Sequence, residues 1–286
     1  MQTYLDCYPC FLRQAIEAAR MLGATPSQEK SVVQQTLSLL SHQPEGTTPP
    51  AIGAQVHHVV RVVTGNDDPY QGVKQAATAG ALAMLPALNV LMDSSKDKLE
   101  TAIRLSIAGN IIDFGPNPDY DLWEVVNRVL SQDFAINDLP LLREQLEAAA
   151  SILFLGDNAA ETVFDRILIE ALPLPVTYVV RGGPVINDAT YEDAVAAGID
   201  QVADIIDNGT RIPGTIFSEC SSTFQAHFNA ADLILAKGMG NYETLSTTPR
   251  PVFFLLQVKC PVIAADIGAL PGSIVVKRGL GVKRKD

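Results

Sequence analysis

The stretch Gly156-Asp157-Asn158-Ala159-Ala160-Glu161-Thr162-Val163-Phe164-Asp165 puts two adjacent oxygen-bearing side chains between two apolar segments. The segment before it, Ser151 to Leu155, reads as a buried strand. The segment after it, Thr162 to Leu172, has the apolar spacing of a helix. In an open α/β sheet the crevice at a strand's carboxyl end is where ligands bind. The following helix N-terminus offers unpaired backbone N–H groups to an anion. An Asp-Asn pair at that joint suits a hard divalent cation, with a phosphate beside it.

Two further segments have the same form. Asn187 and Asp188 follow the apolar Pro184-Val185-Ile186, read as a strand. Lys237-Gly238-Met239-Gly240-Asn241-Tyr242-Glu243 follows the strand-like run Asp232 to Ala236. If these strands are parallel, all three loops open on one edge of the sheet. Asp157, Asn158 and Asp188 would then offer oxygen ligands to Mg²⁺ or Mn²⁺. Lys237 would set a compact positive charge beside a phosphate. Gly238 and Gly240 would let backbone N–H groups approach an anion. Each segment alone is as well explained by a helix cap or a turn. Their common placement after strands points to metal-assisted phosphoryl transfer. Arg181 reads either as a clamp on a substrate anion or as the partner of an acid at its strand end. Glu161 reads as a partner of the site or as a first-turn acid favoured by the helix dipole. His227, on a helical run, reads as packed rather than ligating.

The elements that would position these residues change character along the chain. Residues 1–147 read as helical, with patterns at 11–22, 28–40, 51–63, 69–85, 96–112, 122–132 and 139–150 and no strand-like alternation. The Ala-rich, uncharged run 75–92 carries Pro86, which suggests a buried helix hairpin rather than a membrane span. From 148 to 286 short apolar runs alternate with helices. Strand candidates are 151–155, 176–180, 184–186, 233–236, 252–258, 262–264 and 273–276. This alternation predicts a three-layer α/β fold with a mostly parallel, doubly wound sheet. The division is therefore an N-terminal all-helical part, 1–147, and a Rossmann-like α/β domain, 148–286.

The bulk composition narrows the partners. A chain of 286 residues with 47% hydrophobic and 19% charged residues is globular rather than disordered. A net charge of −11 argues against nucleic acid. The basic C-terminal segments around Lys277-Arg278 and Lys283-Arg284-Lys285 read as solvated. The first residues lack the charged-then-apolar pattern of a secretory signal, so a cytoplasmic location without membrane attachment is expected. Of the four cysteines, Cys7 and Cys10 have a spacing that suits half a zinc site or a redox pair. They do not follow a strand in a βαβ unit, which separates them from a thioredoxin-like pair. Oligomeric state is not readable from the sequence.

Four segments together resemble the damage-control phosphatase family: 156–165, 180–190, 237–243, and Ala108-Gly109-Asn110-Ile111-Ile112-Asp113-Phe114-Gly115. The opening Cys7-Tyr8-Pro9-Cys10-Phe11 and the phrase Thr64-Gly65-Asn66-Asp67-Asp68-Pro69-Tyr70 resemble its archaeal and bacterial branch. The resemblance spans nearly the whole chain in order. It implies a phosphatase of small phosphorylated metabolites that depends on a divalent cation (Mg²⁺, Mn²⁺, Co²⁺ or Ni²⁺). It implies metal ligands at Asp157, Asn158 and Asp188, and a phosphate-facing lysine at Lys237. Asn110 and Asp113 would reach the same cleft, with Arg181, Gly238, Gly240, Asn241 and Glu243 as further substrate-side candidates. Ala160 departs from the glycine common there in the family. Two other readings stay open. One is an S-adenosylmethionine-dependent carboxyl methyltransferase, against which the first strand of the α/β half lacks a Gly-rich loop. The other is a metal or metabolite sensor without turnover.

Overall fold

Alternation along β2 (Ile152–Leu155) decides the layering. Ile152 and Phe154 pack into one buried cluster, while Leu153 and Leu155 pack into another. Successive strand residues point to opposite faces, so a strand apolar on both faces must be covered on both. The computed structural model describes residues 1–111 and 122–279. Asp113, the neighbouring positions of its motif and the basic end 283–285 lie outside the described residues.

Seven strands form one sheet in the order β1-β7-β6-β5-β2-β3-β4. Besides β2 these are β1 (Phe134–Asn137), β3 (Val176–Val180), β4 (Asp204–Asp207), β5 (Leu233–Lys237), β6 (Val252–Gln257) and β7 (Ile274–Arg278). All neighbours pair in parallel except β6 and β7. The α/β architecture expected from the sequence is present. One cluster lies under α5 (Lys98–Ile111), α6 (Leu122–Ser131) and α8 (Thr162–Ala171). The other lies under α10 (Ser222–Ala230), α11 (Gly238–Leu245) and α12 (Pro261–Ile267). A third cluster joins α1 (Cys7–Met21), α2 (Pro26–Ser41) and α3 (Pro49–Thr64) around Phe11, Ala15, Val32, Ile52 and Val56. The last two of these helices start where short polar residues cap them. Thr25 and Gln28 form a reciprocal capping box before α2, and Thr48 accepts the Ala51 N–H before α3.

Several expectations need correction. Among the described residues the helical part holds one strand, β1, which joins the far edge of the sheet beside β7. β4 was also unforeseen, and the two share a cause. Both are edge strands of four residues, and polar or short sequences are what protects an open edge. Residues 262–264 belong to α12, which Cys260 caps and Pro261 opens. Residues 184–186 form no strand: the chain is irregular at 184–185 and turns at 186–187. The run 75–92 lies within one helix, α4 (Gln71–Ser94), which continues through Pro86. Buried Met84 and Leu88 on either side of Pro86 hold it in register against the core. By length and composition α4 is apolar enough to cross a membrane, but one face is committed to this packing.

α5 lies close against α8 because Gly109 has no side chain. A Cβ built there would stand 2.8 Å from Phe164 Cβ. Gly109→Ala is therefore expected to lower unfolding free energy by about 1–2 kcal/mol in urea denaturation, the clash outweighing the gain in helix propensity. An unchanged or raised midpoint would show that Phe164 gives way freely.

Candidate functional site

The site forms where the strand order reverses. β2 has β3 on one side and β5 on the other. The chain runs outward through β3 and β4 and returns on the far side of β2 as β5. Loops leaving β2 and β5 therefore diverge, opening a crevice at their carboxyl ends. Asp157 and Asn158 stand after β2, and Gly238 after β5. Gly238 is required there: its φ is +74°, and a Cβ would overlap the Asp157 carboxylate.

Asp188 arrives by a turn. After β3 the chain bends through Gly182-Gly183-Pro184, and Ile186 takes φ +45°, a strained value for a β-branched residue. The returning segment then pairs with the loop after β2. The Ala189 N–H donates to Asp157 O at 2.8 Å, and the Ala159 N–H donates to Asn187 O at 2.8 Å. Asn158 and Asp188 thus face each other in an antiparallel bridge. Arg181 secures the arrangement from below. Its Nε donates to Asp188 Oδ2 at 2.6 Å, and its Nη2 lies 3.8 Å from Asp157 Oδ1. Arg181 is only 2% exposed, so it acts as the partner of an acid rather than as an open clamp.

Lys237 lies deeper than expected. It is fully buried, and its Nζ donates to Ser106 O at 2.9 Å, to Asp165 Oδ1 at 2.8 Å and to Glu161 Oε1. Its ammonium is under the floor of the crevice rather than facing it. Glu161 carries the link upward. Its Oε2 accepts from Asn110 Nδ2 at 2.9 Å and from the Asn158 N–H at 3.3 Å. The same Asn110 Nδ2 donates to Asp157 Oδ2 at 3.0 Å. Asn241 is also fully buried. It ties Gly156 O to the loop that carries Thr215 and does not reach the crevice.

The crevice opens into a cavity of about 410 Å³ between the sheet edge, α1 and α3. Asn110, Asp157, Asn158, Asp188, Gly240 and Glu243 all line it, as do Cys7 and Cys10 of α1. Burial pushes the Asp157 carboxyl well above the usual range, and the Asp188 and Glu161 charges push it further. Burial also raises Asp188, with Arg181 opposing. Asp165 is raised to about 6 by burial, against the pull of Lys237. A cation between these two carboxylates would offset the cost of ionising both. The donors fit one. Asp157 and Asp188 offer carboxylate oxygens beside Asn158, and Asn110 Oδ1 is buried without a hydrogen-bond partner among the described residues. Oxygen-only donors suit a hard divalent ion. Among the described residues no three His, Cys, Asp or Glu side chains are grouped to hold a metal, so amide oxygens and water must complete the set.

Lys259 and Cys260 are among the cavity residues that the sequence reading did not place there. Lys259 follows β6 on the same edge, and its charge pulls against the rise of the Asp157 carboxyl. Cys260 follows it on the same wall. The rule that found Lys237, a polar residue after an apolar run, applies equally to Lys259 after Val258.

The profile of the damage-control phosphatase ARMT1-like domain matches residues 3–275. A damage-control phosphatase of Pyrococcus horikoshii is 34% identical over 97% of this chain and 98% of its own length. A damage-control phosphatase of Archaeoglobus fulgidus is 32% identical over 95% and 97%. The crystal structure of a DUF89 family protein from Pyrococcus horikoshii superposes with a TM-score of 0.89 at 31% identity, covering 98% of this chain and 99% of that one.

Two outcomes follow from this geometry. Lys237→Met leaves Glu161 and Asp165 buried without their cation and should cost about 3–5 kcal/mol in guanidinium unfolding. A near-neutral change would mean that the ammonium is free to turn toward the crevice. Glu243 is raised from 4.5 to about 7, mainly by burial, with the Met1 ammonium opposing. It binds its proton more tightly folded than unfolded, so rising pH should cost stability between about 4.5 and 7, by roughly 2–3 kcal/mol. Urea midpoints of Glu243→Gln across that window should lack this part of the slope.

Proposed function

The chain belongs to the damage-control phosphatase ARMT1-like domain family, and we propose that it is a divalent-cation-dependent phosphatase of small phosphorylated metabolites. The observation that carries this reading is the pair Asp157 and Asp188. Both lie at one strand edge, raised by burial, beside a cavity large enough for a compact metabolite. Asp157, Asn158 and Asp188 would hold the cation. Bound there, it supplies charge to a phosphate oxygen and makes a water more acidic.

The chain's own residues do the rest. Arg181 fixes the Asp188 carboxylate through Nε, so its orientation is set before substrate arrives. Asn110 holds Asp157 Oδ2 in the same way. Lys237 pairs with both Glu161 and Asp165 beneath, and thereby keeps the Asn110–Asp157 arrangement in place. Lys259, in the cavity wall, takes the phosphate-facing part first expected of Lys237. It balances charge developing on the phosphoryl oxygens. The proton of the attacking water passes to a cavity carboxylate. The wall formed by α1 and α3 limits solvent on the opposite side.

Phosphate release from a panel of sugar phosphates and phospho-cofactors tests this reading, with Mg²⁺, Mn²⁺, Co²⁺ or Ni²⁺ added and with EDTA. Release should require the cation. Asp157→Ala and Asp188→Ala should each lower kcat by roughly 10²-fold or more, and Lys259→Met should lower kcat/KM by about 10²-fold. Full activity of Asp157→Ala would overturn the site. Release unaffected by EDTA would overturn the cation.

A further inference from the structure

Three of the four cysteines, from distant parts of the sequence, meet in one place. Cys7, Cys10 and Cys260 all line the cavity that holds Asp157 and Asp188. None has a role in the phosphatase reading. Cys7 and Cys10 are the first and fourth residues of α1, and both are half-buried free thiols. Three residues along a helix corresponds to a Cα separation of roughly 5 Å, inside the range that a disulfide spans. The surroundings of the two sulfurs differ. Arg13 Nη2 lies 3.7 Å from Cys10 Sγ and donates to it. The Cys7 thiol is pushed up, first by burial and then by Glu243, Cys260 and Cys10 around it, against the pull of its backbone hydrogen bond. Cys260 is fixed differently, as the cap of α12, where its Sγ accepts the Ile263 N–H at 3.4 Å. Among the described residues no metal-binding group includes these thiols. A pair of vicinal helical thiols beside an arginine is suited to thiol–disulfide exchange.

We propose that Cys7 and Cys10 form a reversible dithiol–disulfide site in the wall of the cavity, oxidised by a low-molecular-weight disulfide, X–S–S–X. Cys10, to which Arg13 donates, reacts first. It attacks one sulfur of X–S–S–X, forming a Cys10–S–S–X bond and expelling X–S⁻, which takes up the proton that Cys10 released. Cys7 then attacks Cys10 Sγ, the Cys7–Cys10 disulfide forms as the mixed S–S bond to X breaks, and the second X–S⁻ leaves with the Cys7 proton. Two protein thiols are oxidised by two electrons, and one disulfide is reduced to two thiols. The oxidised wall has lost two S–H groups, and the first turn of α1 is locked. The cavity therefore has two chemically distinct states, and turnover in it follows the redox state of the pair.

The test is made on the full chain, equilibrated with oxidised and reduced glutathione, alkylated and digested with trypsin. Cys7 and Cys10 share one peptide, residues 1–13, and Cys260 lies in another, residues 260–277. The expected result is a 1–13 peptide that escapes alkylation and lacks the mass of two hydrogens, restored by dithiothreitol, with Cys260 alkylated throughout. Cys260→Ser should behave identically, and Cys7→Ser should yield only a glutathione adduct on Cys10. Alkylation of both thiols at every ratio overturns the site. So does a 1–13 peptide joined to 260–277, or stoichiometric zinc that is retained by wild type and lost from Cys7→Ser/Cys10→Ser. The link to turnover rests on the phosphatase reading and is read separately. Phosphate release should fall several-fold on oxidation in wild type and show no oxidant response in Cys7→Ser/Cys10→Ser. Equal rates in the two wild-type states would overturn the link. Absence of phosphate release in any state would count against the phosphatase reading while the peptide map decides the thiol site.

Discussion

The buried ammonium of Lys237 is the constraint around which the rest of the site is arranged. A lysine charge with no exposure is tolerable only when opposite charges and hydrogen-bond acceptors surround it. Here they come from two elements: Ser106 in α5, and Glu161 and Asp165 at the start of α8. Satisfying that charge fixes how α5 and α8 cross the end of β5. The close approach at Gly109 and Phe164 serves the same crossing. Once α5 is fixed, Asn110 stands where it can hold both Glu161 and Asp157. The buried ion-pair network thus ends in an ionisable group at the surface of the cavity.

Unfavourable features concentrate above this base. Asp157 and Asp188 are carboxylates that burial makes hard to ionise together. Ile186 holds a left-handed backbone beside them. Gly238 is pressed against the Asp157 carboxylate. A fold gains nothing in stability from such an arrangement. The strand pairing of β2, β3 and β5 and the two apolar layers supply the stability that holds it. Strain and like charge held in place by rigid elements are what a cation and a phosphate ester would relieve on binding. The thiols lining the cavity add a second chemistry to the same space.

Much of this was legible along the chain. The apolar runs at 151–155, 176–180, 233–236 and 252–258 became central strands because a strand buried on both faces must be apolar throughout. The Asp157-Asn158 segment was recognisable as a strand-end loop from its polar residues alone, whereas Asn187-Asp188 was tied to a strand at 184–186 that is absent and reaches the same edge by a turn. β1 and β4 were not legible, since edge strands avoid the very pattern that marks a strand. The segment 184–186 was misread because three apolar residues look alike in a strand and in the irregular approach to a turn, and only the bend at Gly182-Gly183 separates them.

The sequence by itself determined the fold class, the helical character of the N-terminal part and the strand ends that carry acids, because periodicity and turn chemistry are local properties. It did not determine what each polar residue faces. Lys237 and Lys259 both follow apolar runs, yet one is enclosed by carboxylates and the other stands in the cavity wall. Arg181 reads equally well as a clamp or as a partner of an acid, and only the path of the turn after β3 brings Asp188 onto its Nε. Cys260 gave no sign of joining Cys7 and Cys10. These were decided by tertiary structure, because burial and partnership depend on which elements cross one another, and residues far apart in sequence meet only when they do.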